Sequence, residues 1–182
     1  GQVYTRLGKI PDALTLLTEA YETSHRIHGP DHEQTIESMS SLGDFEARRG
    51  NLPRAEELLT SAFESLLRSR DEEDYDTYLA RGRLAWLLAM RGDFEDAEEL
   101  IRQSIDGLRS VVGNDHMDTQ SALTVLGNLL GMQGRYDEIT PLFEEVLETR
   151  RRILGNEHPQ TLMAINSMGH LLHRQGTLDQ AV

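Results

Sequence analysis

Seven histidines and 31 acidic side chains carry most of the reactive chemistry in this chain. His25-x-x-His28 and His170-x-x-His173 have the spacing that sets two imidazoles on one helical face, as a metal pair requires. Neither pair has a carboxylate partner at ligand spacing in the sequence. There is no cysteine, so thiolate zinc sites and disulfides are excluded. Glu56-Glu57, Glu98-Glu99 and Glu144-Glu145 offer adjacent carboxylates for acid–base work. They recur from unit to unit, whereas a catalytic pair belongs to one pocket, so they read as a solvated face. Arg150-Arg151-Arg152 falls in the last turns of an expected helix, where cations suit the helix dipole. It is too short a run to argue for nucleic acid. No catalytic residue, metal ligand or cofactor site is assigned.

The other histidines lie in a recurring loop. Gly29-Pro30-Asp31-His32-Glu33-Gln34-Thr35, Gly113-Asn114-Asp115-His116-Met117-Asp118-Thr119 and Gly155-Asn156-Glu157-His158-Pro159-Gln160-Thr161 are copies of one phrase. Asp71-Glu72-Glu73-Asp74-Tyr75-Asp76-Thr77 is a degenerate fourth copy, and Thr35, Thr77, Thr119 and Thr161 stand 42 residues apart. Such a period signals a repeat architecture. The Asp/Glu-His pairs are expected to cap the helices that follow. Gly8, Gly50, Gly92, Gly134 and Gly176 run in the same register and read as helix-ending glycines. Each unit therefore holds a helix A and a helix B. The expected elements are B 11–28, A 33–49, B 53–70, A 75–91, B 95–112, A 117–133, B 137–154 and A 159–175, with 1–7 as the tail of a helix A and 178–182 as the start of a helix B. The chain reads as one array over 1–182: a partial unit 1–35, full units 36–77, 78–119 and 120–161, and a partial unit 162–182. Partial units at both ends suggest an excerpt of a longer array. Pro141 fits best in a first helical turn, with Thr140 as its cap, although Asp137 could start that helix a turn earlier.

Small residues mark where paired helices must approach closely: Gly43, Ala85, Gly127 and Gly169 on helix A, with Gly1 in the cut unit, and Ala13, Ala55, Ala97 and Ala181 on helix B. Ile139 breaks the second series, which predicts a wider hairpin there. Leu84-Ala85-x-x-Leu88 followed by Ala97-x-x-x-Ile101, and Leu126-Gly127-x-x-Leu130 followed by Ile139-x-x-x-Phe143, resemble the tetratricopeptide repeat over the whole chain. The usual period is about 34 residues. The longer unit, with its Gly-x-Asp/Glu-His-Pro-x-Thr loop, resembles the repeats of kinesin light chains. The resemblance implies an all-α, right-handed superhelical solenoid of antiparallel helix pairs. It also implies that helix A lines the concave side, that peptides or protein domains are held there, and that no catalysis occurs. Chaperone-type carboxylate clamps use Lys and Arg on successive A helices, and this chain has no lysine beyond Lys9.

Charge and composition narrow the partner. The net charge is −13, which argues against nucleic acid. No apolar run approaches the roughly 20 residues that span a bilayer, so no membrane role and a cytoplasmic location are expected. The four A helices sum to zero charge and the four B helices to −7, leaving a near-neutral groove inside an acidic exterior. Helix A carries a second stripe off its packing face. It reads Glu37, Ser41, Asp44, Arg48; Leu79, Arg83, Trp86, Met90; Ser121, Val125, Asn128, Met132; and Met163, Ser167, His170, Arg174. Trp and Arg are common binding anchors and Met suits adaptable surfaces. The expected binding residues are Arg48, Leu79, Arg83, Trp86, Met90, Thr124, Asn128, Met132, Met163, Asn166, His170 and Arg174. Trp86 could equally pack between units. The expected function is a non-catalytic scaffold or adaptor that takes a protein or peptide in this groove. The alternative is a structural spacer, or a segment that self-associates through uncapped ends.

Overall fold

The computed structural model describes the backbone of residues 2–174 and 176 and the side chains of residues 13–173 and 176. Gly1, Ala181 and the expected start of a helix B at 178–182 lie outside the described residues. Among those described there are eight helices and no strand: α1 Gln2–His28, α2 Glu33–Arg48, α3 Leu52–Ser69, α4 Tyr75–Arg91, α5 Phe94–Val112, α6 Met117–Met132, α7 Tyr136–Leu154 and α8 Pro159–Arg174.

The repeated loop works as a cap. His32 Nδ1 accepts from the Gln34 amide at 3.2 Å, His116 Nδ1 from Asp118 at 3.3 Å and His158 Nδ1 from Gln160 at 3.2 Å. In the degenerate copy Asp74 does the same for Asp76 at 3.0 Å. The histidines thus satisfy amides that a helix start leaves without partners, as their position predicts. The loop threonines are fully buried. Thr119 donates to the Gly113 carbonyl at 2.8 Å and Thr77 to the Asp71 carbonyl at 3.2 Å, which closes the loop onto its helix. The A-to-B turn needs a left-handed residue, and Gly92 supplies it at φ 94°, with Gly50 and Gly134 in the same role.

Two sequence expectations fail at helix ends. α1 is continuous, so Gly8 does not end a helix. Carrying the helix through a glycine costs only about 1 kcal/mol against alanine, and the unbroken ladder of backbone hydrogen bonds offsets it. α7 starts at Tyr136, with Arg135 as its cap residue and Pro141 inside it, so Thr140 is not the cap. The start follows the register instead: Leu52, Phe94 and Tyr136 open α3, α5 and α7 at 42-residue intervals. Burial of Ile139 at 2% exposure offsets the one hydrogen bond the proline removes.

Close packing follows the small residues. A Cβ on Gly43 would sit 2.8 Å from Leu59, and one on Gly127 would sit 2.3 Å from the Phe143 ring. Ala47 and Ala55 share one core and Ala89 and Ala97 another. At the third hairpin the sizes are exchanged: Ile139 is large and Gly131, in register with Ala47 and Ala89, gives way to it. The α6–α7 pair is nonetheless more loosely packed than α2–α3 or α4–α5, as Ile139 predicts. Along the array α2 meets α4 and α4 meets α6, while no two of α3, α5 and α7 come together. Helices α2, α4 and α6 are therefore crowded on the inside of the curve.

Candidate binding groove

The A-helix stripe opens on a cavity of about 430 Å³ between α2, α4 and α6. Its walls include Arg48, Leu79, Arg83 and Trp86, and its floor comes from helix B of the middle unit through Ile101, Ser104 and Leu108. Trp86 is half-buried and belongs to none of the buried core clusters. It lines the wall of the cavity.

The wall is mixed in character. Leu79 and Val125 are apolar, while Asp44, Arg83, Arg48 and Asp118 bring two charges of each sign. Arg83 Nε lies 3.3 Å from Asp44 Oδ2. Burial pushes the Asp44 carboxyl above its ordinary value, and the neighbouring Arg83 and Arg48 offset that only in part. At the rim the Tyr75 phenol donates to Asp118, with the His116 ring edge-on at 5.9 Å. The hydrogen bond to Asp118, helped by burial and by that negative charge, pushes the phenol up to about 12.

Four of the twelve expected binding residues, Arg48, Leu79, Arg83 and Trp86, converge on the cavity. Met90 is half-buried on α4 outside it, and Asn128 and Met132 are exposed along α6. Thr124 spends its hydroxyl on the Gln120 carbonyl at 2.8 Å. Met163, Asn166 and His170 are exposed on α8. The side chain of Arg174 lies outside the described residues. Sequence reading missed the floor: Ser104, Ile101 and Leu108 sit on helix B, and Gly82 on α4 packs closely over Ser104, where a Cβ would lie 3.1 Å from its Oγ.

The outer face is less free than expected. Glu98 is 19% exposed and takes hydrogen bonds from both Arg102 at 2.7 Å and Arg135 at 2.5 Å. Partial burial would raise its carboxyl, but those two guanidiniums hold it below its ordinary value. It straps α5 to the start of α7 and is not simply solvated, because the register brings Arg135 of the next turn over it. Arg109 reaches Glu145 at 2.8 Å in the same way. Of the suspected metal pairs, His28 stacks on His32 at 4.3 Å and His25 lies edge-on to Tyr21. Among the described residues, no three histidine or acidic side chains are grouped to hold a metal ion. Likewise, no described helix is long and apolar enough to cross a membrane.

Helix hairpins in a fixed register, joined by glycine turns and crowded on one side, are the geometry of one repeat family. A tetratricopeptide-repeat profile matches residues 1–68 and again 41–110, and a second matches 119–160. The chain belongs to the tetratricopeptide-repeat family. Its fold is accordingly the right-handed superhelical solenoid of that family, and such repeats generally serve as non-catalytic scaffolds for protein interactions. Among solved structures it resembles BtubC (BKLC) from P. vanneervenii at TM-score 0.78 and 18% identity, over 94% of this chain and 69% of that one. It also resembles the TPR-like repeats of a putative kinesin light chain from P. anserina at TM-score 0.76 and 19% identity, over 99% and 85%. MamA follows at TM-score 0.59 and 18% identity, over 97% and 85%. No curated protein matches the sequence.

Proposed function

We propose that this tetratricopeptide array is an adaptor that holds a peptide segment of a partner protein in the groove between α2, α4 and α6. Trp86 is the central anchor, Leu79 extends its apolar surface, and Arg83 and Arg48 hold the peptide backbone or a polar side chain. Met90, Thr124, Asn128, Met132, Met163, Asn166, His170 and Arg174 continue the contact along α4, α6 and α8. The likeness to a putative kinesin light chain makes cargo or partner recognition in the cytoplasm the natural setting. The reading rests on one observation: the indole of Trp86 faces a cavity instead of a core. A half-buried aromatic beside an opening is the kind of residue that dominates binding energy at interfaces.

The test is affinity capture of a partner on the immobilised chain, followed by titration with the Trp86→Ala and Glu148→Ala variants. Trp86→Ala should weaken binding at least about tenfold with helicity retained. Glu148→Ala, exposed on α7, should change little. Intact binding per folded Trp86→Ala molecule would hand the chain to the spacer reading.

A further inference from the structure

The third unit carries polar side chains at two core positions that are apolar in the other two, and both meet in one place. Arg150 stands in register with Leu66 and Leu108, which are 3% and 1% exposed. Gln120 stands in register with Ile36 and Tyr78, both buried, and is itself buried. Arg150 and Gln120 line a small cavity of about 40 Å³ between α6, α7 and α8, together with Gln160, Ser121 and Asp115, whose carboxylate is held by Arg152. Ser121 also lines the large groove cavity, so the small one adjoins it on the side of the last unit.

Neither polar group is satisfied there. Arg150 gives Nη1 to the Gln160 carbonyl at 3.2 Å and has no carboxylate within ion-pair reach among the described residues. Burial alone depresses its basicity. Its neighbours on the array are matched: Arg68 with Asp31, Arg109 with Glu145, Arg135 with Glu98, and Arg152 with Asp115. Gln120 donates Nε2 to the Asn114 carbonyl at 2.7 Å, while its Oε1, an acceptor that calls for a donor and takes no part in holding an anion, is buried without a partner. A half-buried cation without a counter-ion costs stability, and leucine at that position would not.

We propose that Arg150 anchors a carboxylate-binding subsite that extends the groove, and that it takes an aspartate or glutamate side chain of the bound peptide. The proposal rests on the peptide-groove reading above for its ligand, but not for its chemistry. A guanidinium presents a planar fork that matches a carboxylate with two parallel hydrogen bonds. One cation with one donor already engaged, in so small a cavity, suits a single negative charge better than a phosphate dianion. The occupant would stand one unit along from Trp86, toward α8.

The probe is sodium acetate, titrated into the full chain against sodium chloride at constant ionic strength. The arginine Nε–H resonances are followed by NMR, with Arg150 assigned by its loss in Arg150→Leu. The Arg150 signal should shift saturably with acetate, while that of Arg151, exposed on the same turn, should not. Arg150→Leu should melt higher than the parent and lose any stabilisation by acetate. A synthetic peptide carrying a leucine and a glutamate should bind the parent at least about tenfold better than its glutamine counterpart, and Arg150→Leu should abolish the difference. A non-saturating Arg150 signal, a larger response to phosphate than to acetate, or a lower melting temperature in Arg150→Leu would each overturn the subsite. The groove reading fails separately: if Trp86→Ala binds partner normally while Arg150 still takes acetate, the subsite stands and the groove assignment falls.

Discussion

Arg83 Nε lies 3.3 Å from Asp44 Oδ2, and this pair ties α4 to α2 across the groove wall. The carboxyl is nonetheless pushed above its ordinary value of 3.8, because burial outweighs the attraction of Arg83 and Arg48. A carboxyl whose pKa is raised on folding holds its proton more tightly in the folded chain. Its ionisation therefore subtracts stability as pH rises past the unfolded value. Asp44→Asn removes that dependence. The melting temperature of the variant relative to the parent should rise between about pH 3 and about pH 6. A relative fall over the same range would mean that the ion pair with Arg83 outweighs the burial cost.

Tyr75 and Asp118 join the starts of two successive A helices, 43 residues apart in sequence. The phenol is pushed up to about 12 by that hydrogen bond, with burial adding to it. A raised phenol contributes stability that is fully present below about pH 10 and is lost as pH climbs toward 12. Ultraviolet titration should show a phenol ionising late, and Asp118→Asn should bring it back toward the ordinary phenol value of 10.0. Tyr75→Phe should cost about 1 kcal/mol at neutral pH in urea unfolding. An unchanged midpoint would show that water replaces the phenol without loss.

The imidazole caps give a substitution rule. His116→Ala removes the acceptor for the Asp118 amide and should cost about 1 kcal/mol. His116→Asp should recover most of it, because Asp74 already performs this role one unit earlier. Treatment with a chelator should leave the melting temperature of the parent unchanged. A fall on chelation, or failure of the aspartate to rescue, would overturn the capping account.

These outcomes trace what a single sequence can carry. The threonine period and the loop histidines were legible because a helix start has a fixed need, an acceptor for free amides, and His32, His116 and His158 meet it in every full copy. The wall of the groove was legible through Trp86 and Arg83, because one helical face follows from helical spacing. The floor was not, since Ser104 and Leu108 reach the groove from a different helix and only packing places them. Glu98 looked like a solvated carboxylate because its second partner, Arg135, lies 37 residues on. The turn expected at Gly8 failed for a different reason: a glycine permits a left-handed turn but does not impose one.

Tyr78 and Gly107 show how one unit can leave the register without leaving the fold. In the first full unit Ile36 and Ser65 hold these positions, both buried. In the second, a tyrosine replaces the isoleucine and a glycine replaces the serine. A Cβ on Gly107 would lie 2.1 Å from the Tyr78 ring, so the ring lies directly on the backbone of α5. Arg81 stacks over the same ring at 5.5 Å from its centre. A glycine inside a helix costs up to about 1 kcal/mol against alanine, and here the cost is offset by seating an aromatic ring. Gly107→Ser should therefore destabilise by about 2 kcal/mol through overpacking, despite better helix propensity. Tyr78→Ile should also destabilise, by leaving the space above Gly107 empty. Together the two substitutions restore the pair found at Ile36 and Ser65, and the double variant should recover a coupling energy of at least about 1 kcal/mol in urea unfolding. Strict additivity of the two effects would show that the ring can swing clear of α5, and that the glycine is not there to receive it.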